Sequence, residues 1–178
     1  MAGPGSSARI PAHGTARAKM KPPRPPPPAL FDLPTCQLGI HTNSHGEITD
    51  IVFLTPGTPL ATERTSLDEL FCEAVSRWLN ESDFVPALPF AARGTPFQQR
   101  VWQQIRKIPR GRTSHYGELA ARLDSAARAV GQACGSNPFP LFTPCHRVLG
   151  KNSSGGFAHA DSGWLIETKL WLLEHESD

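Results

Sequence analysis

The 178-residue sequence lacks any apolar run approaching the ~18 to 20 residues of a membrane span, which excludes a chain built on transmembrane helices. Its start, MAGPGSSARIPAHGTARAKMKPPRPPPPAL, lacks the apolar core of a secretory signal, so an intracellular protein is expected. An Arg-rich, acid-free start leaves a targeting sequence open. Cysteine is scarce: Cys36, Cys72, Cys134 and Cys145 are widely spaced, with no CxxC pair and no His/Cys cluster at metal-ligand spacing. In a reducing compartment this argues against a disulfide framework and a metal module, and leaves free thiols. The default for each of them is a small buried hydrophobe. No internal repeat is visible.

Acidic residues are missing where basic ones gather. Residues 1–30 carry five Lys/Arg and no acid, 31–92 two against nine, 93–151 ten against two, and 152–178 one against five. The overall +2 therefore hides a cationic block that contains Cys145. A basic block beside an acidic one is the footprint of a polyanion-binding domain; the alternative is a solvated surface with scattered arginines.

Three regions are expected. Residues 1–33 form a disordered, Pro-rich basic tail, because half of the eighteen prolines lie in the first 34 residues, PPRPPPP among them. Residues 34–92 form a small α/β domain. In it CQLGIHT and ITDIVFLT are two strands of an antiparallel hairpin around NSHGE. The segment TSLDELFCEAVSRWLNES is a helix with a capping box at Ser66 and Glu69 and apolar residues at 67, 70, 71, 74, 75 and 78. DFVPALPFAARG reads as a linker.

Residues 93–178 form a mainly helical domain. A second capping box at Thr95 and Gln98, with Pro96 in the first turn, opens a helix with Phe97, Val101, Ile105 and Ile108 on one stripe. SHYGELAARL, with Leu119 and Leu123 inward, and SAARAVGQACG, capped by Asp124 or Ser125 and closed by Gly135, make a helix-turn-helix candidate. The second of these helices sets Ala126, Ala127, Ala129 and Gly131 around a single Arg128. That composition allows close backbone approach to a neighbour, or simply an alanine-rich core helix with one surface arginine. The last helix, WLIETKLWLLEHES, is expected to bury Ile166, Leu170 and Leu173 and to end at His175 and Glu176.

The chemistry centres on FTPCHRVLG. A cysteine is nucleophilic only as thiolate and needs a base or positive charge nearby. His146 is the nearest base, acting on Cys145 directly or through a water. SNPFPLFTP makes the approach a proline-bounded loop, in which the Asn137 side chain is free to tie backbone together. A buried carboxylate would orient the imidazole, and Glu176 is one of the few available.

PCHRV at 144–148 resembles the active-site signature of the O6-alkylguanine-DNA alkyltransferases, also called methylated-DNA--protein-cysteine methyltransferases. GTPFQQRVW, IPRGRTSHYGELA, AARAVGQACGSNP and KLWLLEHE fall in the same family's order. The resemblance covers about residues 93–178 by specific motifs and 34–92 by general pattern. It implies a ribonuclease H-like α/β N-terminal domain with a small antiparallel sheet, and a winged-helix-like C-terminal domain carrying the helix-turn-helix.

It also implies roles. Cys145 would be the alkyl acceptor, activated through His146 and Glu176, with Asn137 bracing the turn and Tyr116 aiding proton transfer to the leaving base. Arg128 would fill the gap left by an extruded nucleotide, with Ala126, Ala127, Ala129 and Gly131 packed in the minor groove of double-stranded DNA. Pro140, Val148, Phe157, Trp164 and Lys169 would surround the substrate. Two departures stand out. The turn in ARLDSAAR is shorter than usual, and SSGGFAHADSGWLIETK has Phe157 where a Tyr is typical and is several residues longer.

The implied activity is irreversible, one-time transfer of the alkyl group from O6-alkylguanine, and from O4-alkylthymine, to Cys145, by a monomer that needs no metal and no cofactor. Cooperative loading on DNA is left open. A non-catalytic lesion-binding or transcription-regulating module is the alternative, and the Cys145, His146, Asn137, Glu176 set argues against it. A Cys-His hydrolase is disfavoured by the lack of an obvious oxyanion loop.

Overall fold

The computed structural model describes residues 24–81 and 84–177. Strands β1 (Phe31–Leu33), β2 (Cys36–Thr42) and β3 (Ile48–Leu54) form an antiparallel sheet in that order. The expected hairpin is present. At its turn the Asn43 side chain accepts from the N–H groups of His45 and Glu47, and Gly46 takes φ 76°.

Residues 1–23 of the expected tail lie outside the described residues, but its last stretch belongs to the fold. Ala29 and Leu30 are buried, Leu30 N–H donates to Leu38 O, and Phe31–Leu33 pairs with β2. The polyproline run has no N–H groups to pair; once it ends, the apolar Ala-Leu-Phe stretch can both pair and bury.

The free edge of β3 is covered rather than exposed. Ile48 N–H donates to Pro89 O, Ala91 N–H to Ile48 O, and Ile51 N–H to Pro138 O. The segment read as a linker is thus pinned to the sheet, and so is the loop that leads to Cys145. At Gly94, with φ 84°, a side chain would collide with the Trp102 ring, which accounts for glycine there.

The capping box of helix α1 (Ser66–Asn80) lies one residue before the expected one. Thr65 is the N-cap, its hydroxyl accepting from Asp68 N–H while the Asp68 carboxylate accepts from Thr65 N–H, so Ser66 and Glu69 do not form the box. α1 buries Phe71, Ala74, Val75 and Trp78 and leaves Leu70 exposed. Helix α2 (Pro96–Arg106) has the expected Thr95/Gln98 box and Pro96 in its first turn. It buries Val101, Trp102 and Ile105, while Phe97 is half-buried and Ile108 is buried just past the helix end.

α3 (Tyr116–Arg122) and α4 (Ala127–Gly135) are joined by a tight turn. The turn closes with Ser125 N–H donating to Ala120 O, and Asp124 is forced to φ 50°. Neither Asp124 nor Ser125 caps α4: the N-cap is Ala126, without a side-chain bond. The turn is so short that both candidate caps are used up in reversing the chain. Gly135 is the last helical residue, followed by Ser136 as C-cap, rather than a left-handed stop.

α5 (Trp164–His175) corrects the expected face. It buries Thr168, Lys169 and Leu172 and delivers buried Glu176 at its end; of the expected residues Ile166 and Leu173 are half-buried and Leu170 is 50% exposed. Polar partners as well as apolar contacts set this helix's rotation. Residues of the sheet, such as Leu38 and Ile48, and of the helices, such as Phe71, Val101, Leu119 and Leu172, belong to one buried cluster.

Candidate acceptor-thiol site

After α4 the chain runs through a proline-rich loop in which Leu141, fully buried, holds φ 73°, a conformation uncommon for a non-glycine residue. Thr143 N–H donates to Phe139 O and Cys145 N–H to Thr143 O, so the loop coils back before a single helical turn, Cys145–Arg147. Strand β5 (Val148–Leu149) then pairs in parallel with β4 (Ser114–His115), fixing the turn against the start of α3.

Cys145 is buried, with 6% of the residue exposed. Asn137 holds it: Nδ2 donates to Cys145 Sγ at 3.2 Å and to Thr143 O at 2.8 Å, while Oδ1 accepts from Phe139 N–H. Burial pushes the thiol's pKa up, and the Asn137 hydrogen bond and the Lys169 charge oppose that. At rest the sulfur therefore keeps its proton and needs a base.

Behind the thiol lies a buried charge network. The Glu176 carboxylate bonds His146 Nε2 at 2.8 Å and accepts Nε and Nη2 of Arg147, both at 2.8 Å. Burial raises the carboxyl's pKa, but hydrogen bonds from His146 and Arg147 and the guanidinium charge win and lower it to about 2. A carboxylate only accepts, so Nε2 must carry the imidazole proton. Burial lowers the pKa of His146, against the pull of Glu176, and Arg147 already balances the carboxylate. The ring is thus neutral, with Nδ1 a bare lone pair that is buried without a protein partner. Trp78 packs edge-on to the imidazole, with ring centroids 5.8 Å apart.

Lys169 is fully buried and donates to Val148 O at 2.7 Å and Gly156 O at 3.1 Å. Burial lowers its pKa to about 8, with the nearby thiols Cys145 and Cys134 pulling it back up. Tyr116 O–H donates to the same Gly156 O at 3.4 Å, and burial raises its pKa, so the phenol stays protonated at neutral pH.

A cavity of about 500 Å³ has Cys145, Cys134 and Tyr116 in its wall, with Arg128, Gly131 and Phe157 around it. Of the site residues expected from sequence, Cys145, Tyr116, Arg128, Gly131 and Phe157 share this cavity, and His146, Glu176 and Asn137 stand behind the thiol. Ala126 and Ala127 are exposed at the start of α4, and Ala129 lines a neighbouring cavity of about 530 Å³. Pro140, Val148 and Lys169 are buried and do not line the acceptor cavity. Trp164 faces a separate cavity of about 780 Å³, with Phe53 and Asn137. Among the described residues no group of three or more His, Cys, Asp or Glu could hold a metal ion, and no helix is long and apolar enough to cross a membrane.

A family profile described as "6-O-methylguanine DNA methyltransferase, DNA binding domain" matches residues 96–178. The methylated-DNA--protein-cysteine methyltransferase of Shigella flexneri is 48% identical over 95 residues, covering 52% of this chain and 53% of that protein. The crystal structure of the Mycobacterium tuberculosis O6-methylguanine methyltransferase superimposes with TM-score 0.62 at 31% identity, covering 83% of this chain and 90% of that one.

The chain belongs to the O6-methylguanine methyltransferase family. The M. tuberculosis OGT in complex with DNA is a similar match, with TM-score 0.61, 32% identity, and coverage of 83% of this chain and 90% of that one. The chain spans about half the length of the curated relatives it matches. The small antiparallel sheet and helices of an α/β fold agree with its structural neighbours in the family.

Sequence reasoning missed three residues. Arg147 sits inside PCHRV, and its signal was electrostatic: a buried Glu176 needs a cation beside the neutral histidine. Arg110 donates to Trp78 O, Leu79 O and His175 O, clamping the ends of α1 and α5; nothing local in IPRGRT marks it. Cys134 looked like a core cysteine in an alanine-rich helix, yet it borders the acceptor cavity.

Proposed function

We propose that this chain repairs DNA by direct reversal, moving the alkyl group of O6-alkylguanine irreversibly onto Cys145. O4-alkylthymine, which presents an alkyl carbon on a comparable oxygen, is a second substrate. The observation that carries the reading is the buried thiol in a cavity edged by Arg128, with a neutral histidine oriented by a buried ion pair behind it.

In this reading His146 Nδ1 takes the Cys145 proton through a water, and Glu176 stabilises the imidazolium that forms. The thiolate attacks the alkyl carbon in line, the carbon–O6 bond breaks, and the electron pair stays on guanine. The Tyr116 hydroxyl, still protonated, passes its proton to the base, so that guanine leaves neutral, and the phenolate recovers a proton through water as the His146 imidazolium gives one up. The product is a thioether, which water does not cleave, so each chain acts once. The step draws on no metal and no cofactor.

DNA is the partner. The exposed, small-residue start of α4 is suited to the minor groove, and its uncapped N-terminal N–H groups to a phosphate. Arg128 occupies the space of the extruded nucleotide, whose flipping costs a few kcal/mol and least for a poorly paired lesion. The protein acts as a monomer wherever DNA is accessible. The division into a ribonuclease H-like unit over 34–92 and a winged-helix-like unit with its helix-turn-helix over 93–178 belongs to the same proposal.

The test is repair of a duplex containing O6-methylguanine. Lesion loss should saturate at one per chain, however long the incubation. Continued turnover would contradict a thioether end point, and an unrepaired but tightly bound lesion would favour a non-catalytic binding module.

A further inference from the structure

Residues 157–160 close a hairpin at the mouth of the acceptor cavity. Phe157 N–H donates to Ala160 O and Ala160 N–H to Phe157 O, both at 2.8 Å. The two residues between them, Ala158 at φ 47° and His159 at φ 65°, both lie in the left-handed region. Such a two-residue turn normally takes asparagine or glycine, and neither is used here. A conformation of this kind persists only where its surroundings hold it. They do: Phe157 is buried against Phe53, with ring centroids 5.1 Å apart, and Gly156 O accepts from both Lys169 and Tyr116.

The hairpin carries the exposed His159 across to α4. There its ring lies so close to Gly135 that a Cβ at that position would stand 2.8 Å from Cε1 and Nδ1. The mouth thus has two sides, α4 with Arg128, Gln132 and Gly135, and the hairpin with His159 and Asp161.

We propose that His159 binds the backbone phosphate of the extruded nucleotide, across the cavity mouth from Arg128. The inference rests on the alkyl-transfer reading above. If the base must reach Cys145 inside the cavity, its sugar and phosphate are left at the mouth between α4 and the hairpin. Of the side chains on the hairpin side, the imidazole donates a hydrogen bond to a phosphate oxygen, and the Asp161 carboxylate repels it. The glycine at 135 is what allows the ring to rest there.

Three substitutions test this, those at His159 and at Asp161 with opposite signs. His159→Gly keeps a residue at ease in the left-handed region and removes the donor. It should weaken binding to lesion-containing duplex about three- to tenfold, the loss of one hydrogen bond to a charged phosphate oxygen. His159→Asn, which also tolerates the turn and keeps a donor, should recover part of the loss. Asp161→Asn should tighten duplex binding about twofold or more, as removal of a like charge predicts.

Reaction with the free base O6-benzylguanine, which has no phosphate, should proceed at the wild-type rate in all three variants. Unchanged duplex affinity in His159→Gly would overturn the proposal. So would equal losses toward duplex and free base, which would mean that the hairpin only shapes the cavity. A wild-type chain that binds duplex but leaves both O6-benzylguanine and the duplex lesion intact would instead overturn the alkyl-transfer reading, and this inference with it.

Discussion

Helices α1 and α5 end against each other, with Arg110 donating to the last carbonyls of both and His175 bonding Leu79 O, yet they bury opposite chemistry. α1 buries Phe71, Ala74, Val75 and Trp78, all apolar. α5 buries Thr168 and Lys169 with Leu172 and ends in buried Glu176, leaving Leu170 half exposed. The first helix is rotated by the hydrophobic effect and serves as a wall. The second is rotated by hydrogen bonds and charge together with Leu172, and its buried face is the back of the site. A helix that leaves one leucine at the surface while it buries a lysine is held in part by polar contacts, and those contacts are where the comparison can be broken.

The largest effect is expected at Glu176→Gln. It leaves Arg147 buried without its carboxylate and removes the group that fixes the His146 tautomer. Stability should fall by about 3 to 5 kcal/mol in denaturant unfolding, and the alkyl-transfer rate of the folded protein by about 10²- to 10⁴-fold. Phe71→Ala on α1 should match the first number and not the second. A cavity there costs about 3 to 5 kcal/mol, while the single-turnover rate of the folded fraction stays near wild type. Parallel losses of rate in both variants would mean that the two helices do not divide the work.

Acid should separate them further. The folded pKa of Glu176, about 2, lies below its ordinary 4.5, so its stabilisation is complete above about pH 4.5 and is lost as pH falls through 2. About 3 kcal/mol should disappear across that window in the wild type. The same limb should be nearly absent in Glu176→Gln and retained in Phe71→Ala. The smallest effect is expected at Leu170→Gln, within about 0.5 kcal/mol of wild type in thermal unfolding, because the side chain stands at the surface. A loss of several kcal/mol would return α5 to the face its apolar spacing suggests.

The same contrast explains what the sequence could reveal. The β2–β3 hairpin and the buried side of α1 follow from alternation, turn residues and apolar spacing, which are local signals. The Thr95/Gln98 box with Pro96 is equally local, and it is present as read. The box on α1 is off by one residue because aspartate at 68 serves as well as glutamate at 69. The caps of α4 were misjudged because the short turn consumes Asp124 and Ser125. Motif order brought Cys145, His146 and Glu176 into view, and the structure sets Glu176 on the imidazole of His146, the residue after Cys145. The remaining parts of the site depend on distant partners: Arg147 on Glu176, 29 residues away, Lys169 on Val148 and Gly156, and Asn137 on both the thiol and the loop pinned to β3. No short window contains both members of such a pair.

The central claim is that the thiol held by Asn137, rather than its cavity neighbour Cys134, is where the alkyl group ends. Intact mass followed by peptide mapping, after mixing the chain with a duplex containing O6-methylguanine, tests it most directly. One methyl group per chain, carried on the peptide containing Cys145 and absent in Cys145→Ser, is the predicted result. A methyl group on Cys134, or an unmodified chain beside a repaired lesion, would contradict it.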